Sequence, residues 1–134
     1  EALHVEDQIG DVRVKTAGPH APITSLSGGN QQKVVIGKML MTKPKAIMLD
    51  EPTRGIDVGA KSEIFSLLSA QAERGLAVLF ATSEIGEALS ASNRVIVLAK
   101  GRIVAEFDPT IATREQIMAA ADDNQGAVLN GVTK

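Results

Sequence analysis

An α/β fold is predicted by three features of the sequence. Two unbroken apolar runs, at 46–49 ("AIML") and 76–81 ("LAVLFA"), alternate with segments of helical spacing, and Pro or Gly punctuates the junctions. Continuous apolar runs of this length suit parallel strands lying under helices, so the first strand is expected to be buried and the second to be buried on both faces.

The segment 1–26 is mixed: "VEDQIGDVRVK" suits a short helix or strand, and "TAGPHAP" a loop. A helix is expected over about 30–41, where Val34, Val35, Met39 and Leu40 recur at helical spacing until Pro44 stops it. "KAIMLDEP" follows as the first strand. A second helix is expected over 58–74, with Ile64, Leu67, Leu68 and Gln71 near one stripe and Gly75 at its C-terminal end. "LAVLFAT" is the second strand, and a short helix at 85–92 leads into "RVIVLAKGRIVAEF", a β-hairpin turning at "AKGR". In "TREQIMAAA", Thr113 and Gln116 have the spacing of a capping box. Residues 1–122 are expected to form the folded part, and 123–134 a disordered tail with little to bury. Met39, Met41 and Met48 are expected to fill the core.

The 134 residues include no cysteine, which excludes disulfides, thiolate zinc sites and a Cys nucleophile. A net charge of -2, with acids and bases interspersed, gives no basic face for nucleic acid. No apolar run approaches the roughly 20 residues that span a bilayer, and the first residues lack the order of a secretory signal. Membrane contact is therefore expected through a partner. His4 and His20 have no His, Cys or acid at metal-ligand spacing and are expected to be solvated.

Two stretches carry chemistry. In "AIMLDEP" an apolar strand ends in Asp50 and Glu51, at the edge where open α/β sheets place a ligand crevice. A carboxylate there suits Mg2+, and a neighbouring one can act on an attacking water; the alternative is a pair of solvated turn acids. In "LSGGNQQK", Ser27, Gly28 and Gly29 stand at a helix start, where unpaired N–H groups and the helix dipole favour an anion. The alternative there is an ordinary capped helix.

Taken together and in order, "LSGGNQ", "IMLDEPT", "RGID" and "ATSE" resemble the C-terminal part of an ABC-type ATPase domain. The longer strings "LSGGNQQKVVIGKMLMTKPKAIMLDEPTRGIDVGAKSEI" and "TSEIGEALSASNRVIVLAKGRIVAEF" are most similar to the second ATPase half of bacterial monosaccharide importers of the ribose, galactose and xylose type. The resemblance implies a partial P-loop NTPase fold, with the P-loop half absent: no G-x-x-x-x-G-K-[ST] occurs in the chain. It implies ATP and Mg2+ as cofactors in a complete two-domain assembly, with Ser27, Gly28, Gly29 and Gln31 in the signature motif. It also implies Asp50 as the metal-binding Walker B acid, Glu51 as the catalytic acid beside it, Asp57 in the D-loop and Ser83 at the catalytic switch position. The family's usual residue at that position is histidine, so hydrolysis at the site lined by Asp50, Glu51 and Ser83 is in doubt. The partners implied are a second ATP-binding domain and membrane permease subunits, with the protein peripheral on the cytoplasmic face of the inner membrane. The chain alone is expected to be inactive, to expose apolar edges of the strands at 46–50 and 78–82 unless a second copy covers them, and so to self-associate or be partly disordered near residues 1–25. A non-catalytic interaction module that kept the fold is the competing expectation.

Overall fold

The computed structural model describes Lys15, His20 and residues 22–122, so the expectations for His4, for most of 1–21 and for a tail at 123–134 lie outside the described residues. These residues divide into two compact units, with the boundary between Ala81 and Thr82. Among them, no helix is long and apolar enough to cross a membrane.

The first unit is a β-α-β arrangement with one helix before it. After a 3-10 turn, Ile23–Ser25, helix α1 runs Gly28–Leu40, strand β1 Ala46–Asp50, helix α2 Val58–Glu73 and strand β2 Ala77–Ala81. β1 and β2 pair in parallel, from Ala46 opposite Ala77 to Asp50 opposite Ala81, so both strands end at the same edge. Helix α1 stops where Lys43 adopts a left-handed conformation (φ 50) ahead of Pro44, and α2 stops at Gly75 (φ 97), a backbone that glycine adopts without strain.

The core of this unit is Ile36 from α1, Ile47 and Leu49 from β1, and Ile64 and Leu68 from α2. Phe65 and Phe80 add a tilted ring pair with centroids 5.2 Å apart. Burial alternates along β1: Ile47 and Leu49 face the helices, while Met48 on the other face is 74% exposed. Leu79, its partner in register on β2, is 55% exposed. The expected burial of the two strands is therefore corrected. Both helices contribute their core residues to the cluster around Ile47 and Leu49, and the opposite face presents apolar side chains to solvent. Met39 packs against the core as expected, but Met41 and Met48 are exposed, Met41 because it follows the last turn of α1 and Met48 because it lies on the open face.

The second unit holds helix α3 (Ile85–Ala91), strands β3 (Val95–Ala99) and β4 (Arg102–Phe107), and helix α4 (Arg114–Ala121). β3 and β4 form the antiparallel hairpin, turning at Lys100 and Gly101 with φ of 51 and 76, as a type I′ turn requires. A register shift after Val97 places Leu98 opposite Ile103, both exposed, while Val95 and Val97 pack on Ile117 of α4. The capping box forms: the Thr113 hydroxyl accepts from the Gln116 N–H (3.3 Å), and the Gln116 side chain accepts from the Thr113 N–H (2.9 Å).

Candidate functional site

Ser27 is extended and caps α1, its hydroxyl accepting from the Asn30 backbone N–H (3.4 Å) and from the Asn30 side-chain amide (3.0 Å). The first N–H groups of a helix have no acceptor within it, and no acid stands in the first turn of α1 to neutralise its positive end. The Gln31 amide folds back and donates to the Leu26 carbonyl (2.9 Å), bracing the loop that enters the helix.

The two glycines differ in their surroundings. A Cβ built on Gly28 meets nothing within 4 Å among the described residues, whereas one on Gly29 would lie 2.5 Å from the Ala60 Cβ and 3.5 Å from Ile56 Cγ2. Gly29 is buried and Gly28 exposed. The missing side chain at 29 lets α2 approach α1; the one at 28 leaves the surface of the helix end bare.

At the common edge of the sheet Asp50 is the last residue of β1 and its residue position is exposed. Glu51 leaves the strand with φ 45, a left-handed conformation that is strained for a residue with a Cβ, and its N–H donates to the Ala81 carbonyl (2.9 Å). Its carbonyl accepts from the Arg54 N–H (3.1 Å), and the Thr53 carbonyl accepts from the Ile56 N–H (3.2 Å), so two turns carry the chain over buried Pro52 and Thr53 toward α2. Asp57 then caps α2, its carboxylate accepting from the Ala60 N–H (3.0 Å). The positive end of α2 thus has an internal anion, while among the described residues that of α1 is capped by a neutral hydroxyl.

One feature of this unit was not anticipated from the sequence. Lys33 on α1 is 2% exposed and pairs with Glu63 on α2, whose side chain is 48% exposed; Lys15 lies 3.9 Å from the same carboxylate. The Lys33 hydrogen bond, and then its charge, holds the Glu63 carboxyl below its ordinary value of 4.5. The signal was present in the spacing. Gly29, Lys33, Ile36 and Gly37 are the buried residues of α1, a helical stripe with a lysine inside it.

Ser83 belongs to the second unit, exposed in the turn between β2 and α3. That turn is fastened by Thr82, whose hydroxyl donates to Glu87 (2.9 Å) and accepts from the Glu84 N–H (3.1 Å). The structure therefore brings the Ser27–Gly29 turn together with the start of α2 in the first unit, which also holds Asp50, Glu51 and Asp57, and places Ser83 in the other. Among the described residues no group of three or more His, Asp or Glu is gathered that would enclose a metal ion. Mg2+ commonly takes one or two carboxylates and completes its shell with phosphate oxygens and water, a role that an exposed Asp50 fits.

A family model described as ABC transporter matches residues 1–54. The chain is 49% identical over 122 residues to the xylose import ATP-binding protein XylG of Pseudomonas syringae pv. tomato, covering 91% of this chain and 23% of that protein. The chain thus spans about a quarter of the length of the curated relatives it matches. Among solved structures it is similar to MJ1267, an ATP-binding cassette of an ABC transporter (TM-score 0.72, 27% identity, 92% of this chain and 48% of that one). It is also similar to the bacterial ABC transporter cassette MJ0796 in a dimeric structure (TM-score 0.68, 27% identity, 80% of this chain and 46% of that one). The order of the motifs, the parallel sheet with its helices and these likenesses agree: the chain belongs to the ABC transporter ATPase family.

Proposed function

We propose that residues 1–122 serve as part of the ATP-hydrolysing subunit of a monosaccharide importer of the xylose type, with the start of α1 closing over a nucleotide whose phosphates are held by the P-loop of another domain. The observation that carries this is the asymmetry at Gly28 and Gly29. Packing on α2 accounts for Gly29, but nothing among the described residues accounts for the bare backbone at Gly28, which sits at an uncompensated positive helix end. An incoming phosphate needs that combination. The dimeric structure of the similar cassette MJ0796 supports a second cassette as the partner.

In this reading Ser27, Gly28 and Gly29 address the partner's nucleotide, and Gln31 holds the loop in place. Asp50, with Mg2+, and Glu51 belong to a second ATP site whose P-loop lies outside this sequence, Asp57 shapes the turn into α2, and Ser83 stands at the switch. Magnesium there would neutralise phosphate charge; the chain's own share is to present the Asp50 carboxylate and to hold Glu51 beside it. A serine is shorter than a histidine and carries no positive charge, so it stabilises developing phosphoryl charge less well, and this second site is the weaker of the two. Membrane permease subunits are the coupled partners, and the assembly acts on the cytoplasmic face of the membrane.

The test is ATP binding and hydrolysis with Mg2+ by the chain alone and mixed with a P-loop-containing cassette half. No turnover alone, with turnover in the mixture that Ser27→Ala and Gly28→Val abolish, is the expected result. Turnover by the chain alone, or a mixture indifferent to both substitutions, overturns the proposal and favours a non-catalytic module.

A further inference from the structure

The N-terminal turns of α1 and α2 touch at two points that lie one helical turn apart on both helices. At the first, Gly29 receives Ala60, with Ile56 from the preceding turn also against it. Four residues on along α1 and three along α2, the buried Lys33 ammonium meets the Glu63 carboxylate. A single contact is a pivot, about which two helices rock; two contacts a turn apart fix both separation and rotation.

The chemistry of the second contact points the same way. Taking a lysine ammonium almost wholly out of water is costly unless it is paired. An apolar residue at this position in the stripe of Ile36 would serve burial alone, so burial does not explain a lysine. A charged pair supplies what an apolar contact lacks, a direction and a partner of opposite charge.

We propose that the Gly29–Ala60 contact and the Lys33–Glu63 ion pair tie the turn at Ser27–Gly29 to the turn at Gly55–Asp57 as one rigid body, making Lys33 and Glu63 positioning residues for the anion-facing end of α1. Whatever displaces one turn displaces the other. What the first turn binds rests on the function proposed above; the mechanical tie does not. Its consequence for that function is that a phosphate closing on Gly28 is sensed at Asp57 without any contact to it. Lys33 and Glu63 touch no nucleotide in this scheme and act only through the turns they join.

Amide hydrogen exchange on the full chain, without nucleotide, tests the tie directly. Lys33→Met, which removes the charge but keeps an unbranched stem, is expected to speed exchange in 28–32 and in 55–60 by a matched factor of about ten, leaving the hairpin at 95–107 unchanged. Lys33→Arg, which still reaches the carboxylate, is expected to restore both segments to within about threefold of the parent. Glu63→Gln, whose amide oxygen still accepts from Lys33, is the milder variant and decides the matter should Lys33→Met unfold; it is expected to produce a smaller but again matched rise. A rise confined to one segment, or unequal rises in the milder variant, overturns the tie. Adding Mg2+-ATP and the P-loop-containing half separates the two proposals: if the coupled rise is present but nucleotide fails to protect 28–32, the function proposed above fails and the tie stands.

Discussion

Gly29 and Ala60 approach so closely that a methyl group on the glycine would sit 2.5 Å from the alanine Cβ. Gly28 beside it meets nothing within 4 Å among the described residues. Gly29→Ala is therefore expected to cost about 1–3 kcal/mol by forcing the helices apart. Gly28→Ala is expected to leave stability unchanged or to raise it by up to about 1 kcal/mol, since alanine is the better helix former. Urea unfolding of the two variants measures the difference. Equal effects would mean that the packing at Gly29 is not what demands a glycine. If the proposed function holds, both variants are expected to lose activity in the mixed ATPase assay and only Gly29→Ala to lose stability.

Glu51 holds a left-handed backbone with φ 45 at the end of β1. Replacing it by Gly and by Ala removes the same carboxylate, but only glycine relaxes that backbone. Glu51→Gly is expected to be more stable than Glu51→Ala by about 1 kcal/mol, while both abolish hydrolysis at this site. Equal unfolding midpoints would show that the turn carries no strain.

Glu63 predicts a dependence on pH. Its carboxyl is held below the ordinary 4.5 in the folded chain, by the Lys33 hydrogen bond first and the Lys33 charge second. On acidification the unfolded chain takes up the proton before the folded one does. The contribution of this group is complete above the unfolded value and disappears as pH falls through the depressed folded value. Asp108 is lowered in the same direction by the Thr110 hydroxyl and then the Thr110 N–H, so its contribution to the second unit is likewise lost as pH falls through its own depressed folded value. Unfolding midpoints at pH 7, 5 and 3 are expected to fall more steeply for the parent than for Glu63→Gln. Parallel profiles would remove the ion pair from the account.

Ser83 gives the prediction for the assembled transporter. If the proposed second site is weakened by its serine, Ser83→His is expected to raise turnover there by about tenfold, because the longer cationic side chain can meet developing phosphoryl charge. Single-turnover measurements with the other site disabled read this directly. An unchanged rate would locate the weakness elsewhere, with Asp50 and Glu51 the next residues to vary.

Much of this architecture was legible because local rules agree with the fold. Thr113 and Gln116 formed their capping box, Lys100 and Gly101 made the hairpin turn, and Gly75 closed α2, each set by residues a few positions apart. Exposed apolar edges of these strands were expected, but which residues face outward was not legible. When every residue of a strand is apolar, the period of two that distinguishes inside from outside disappears, and only packing reveals that Ile47 turns inward and Met48 outward. The dipeptide Gly28-Gly29 hid its division in the same way: the two residues are identical in sequence, and their difference comes from Ala60, more than thirty positions later. Lys33 was obscured by the opposite habit, since lysine is ordinarily assigned to the surface.

The exposure of Met48 also has a redox consequence. A thioether on an open sheet face is within reach of peroxide, and the sulfoxide that forms is polar and bulkier than the sulfide. Whatever comes to lie on that face would shield the sulfur, while a sulfoxide already present would make the face a poorer seat for an apolar partner. Sulfoxide at Met48, followed by mass spectrometry, therefore accumulates with the total time for which this face of the sheet is left uncovered.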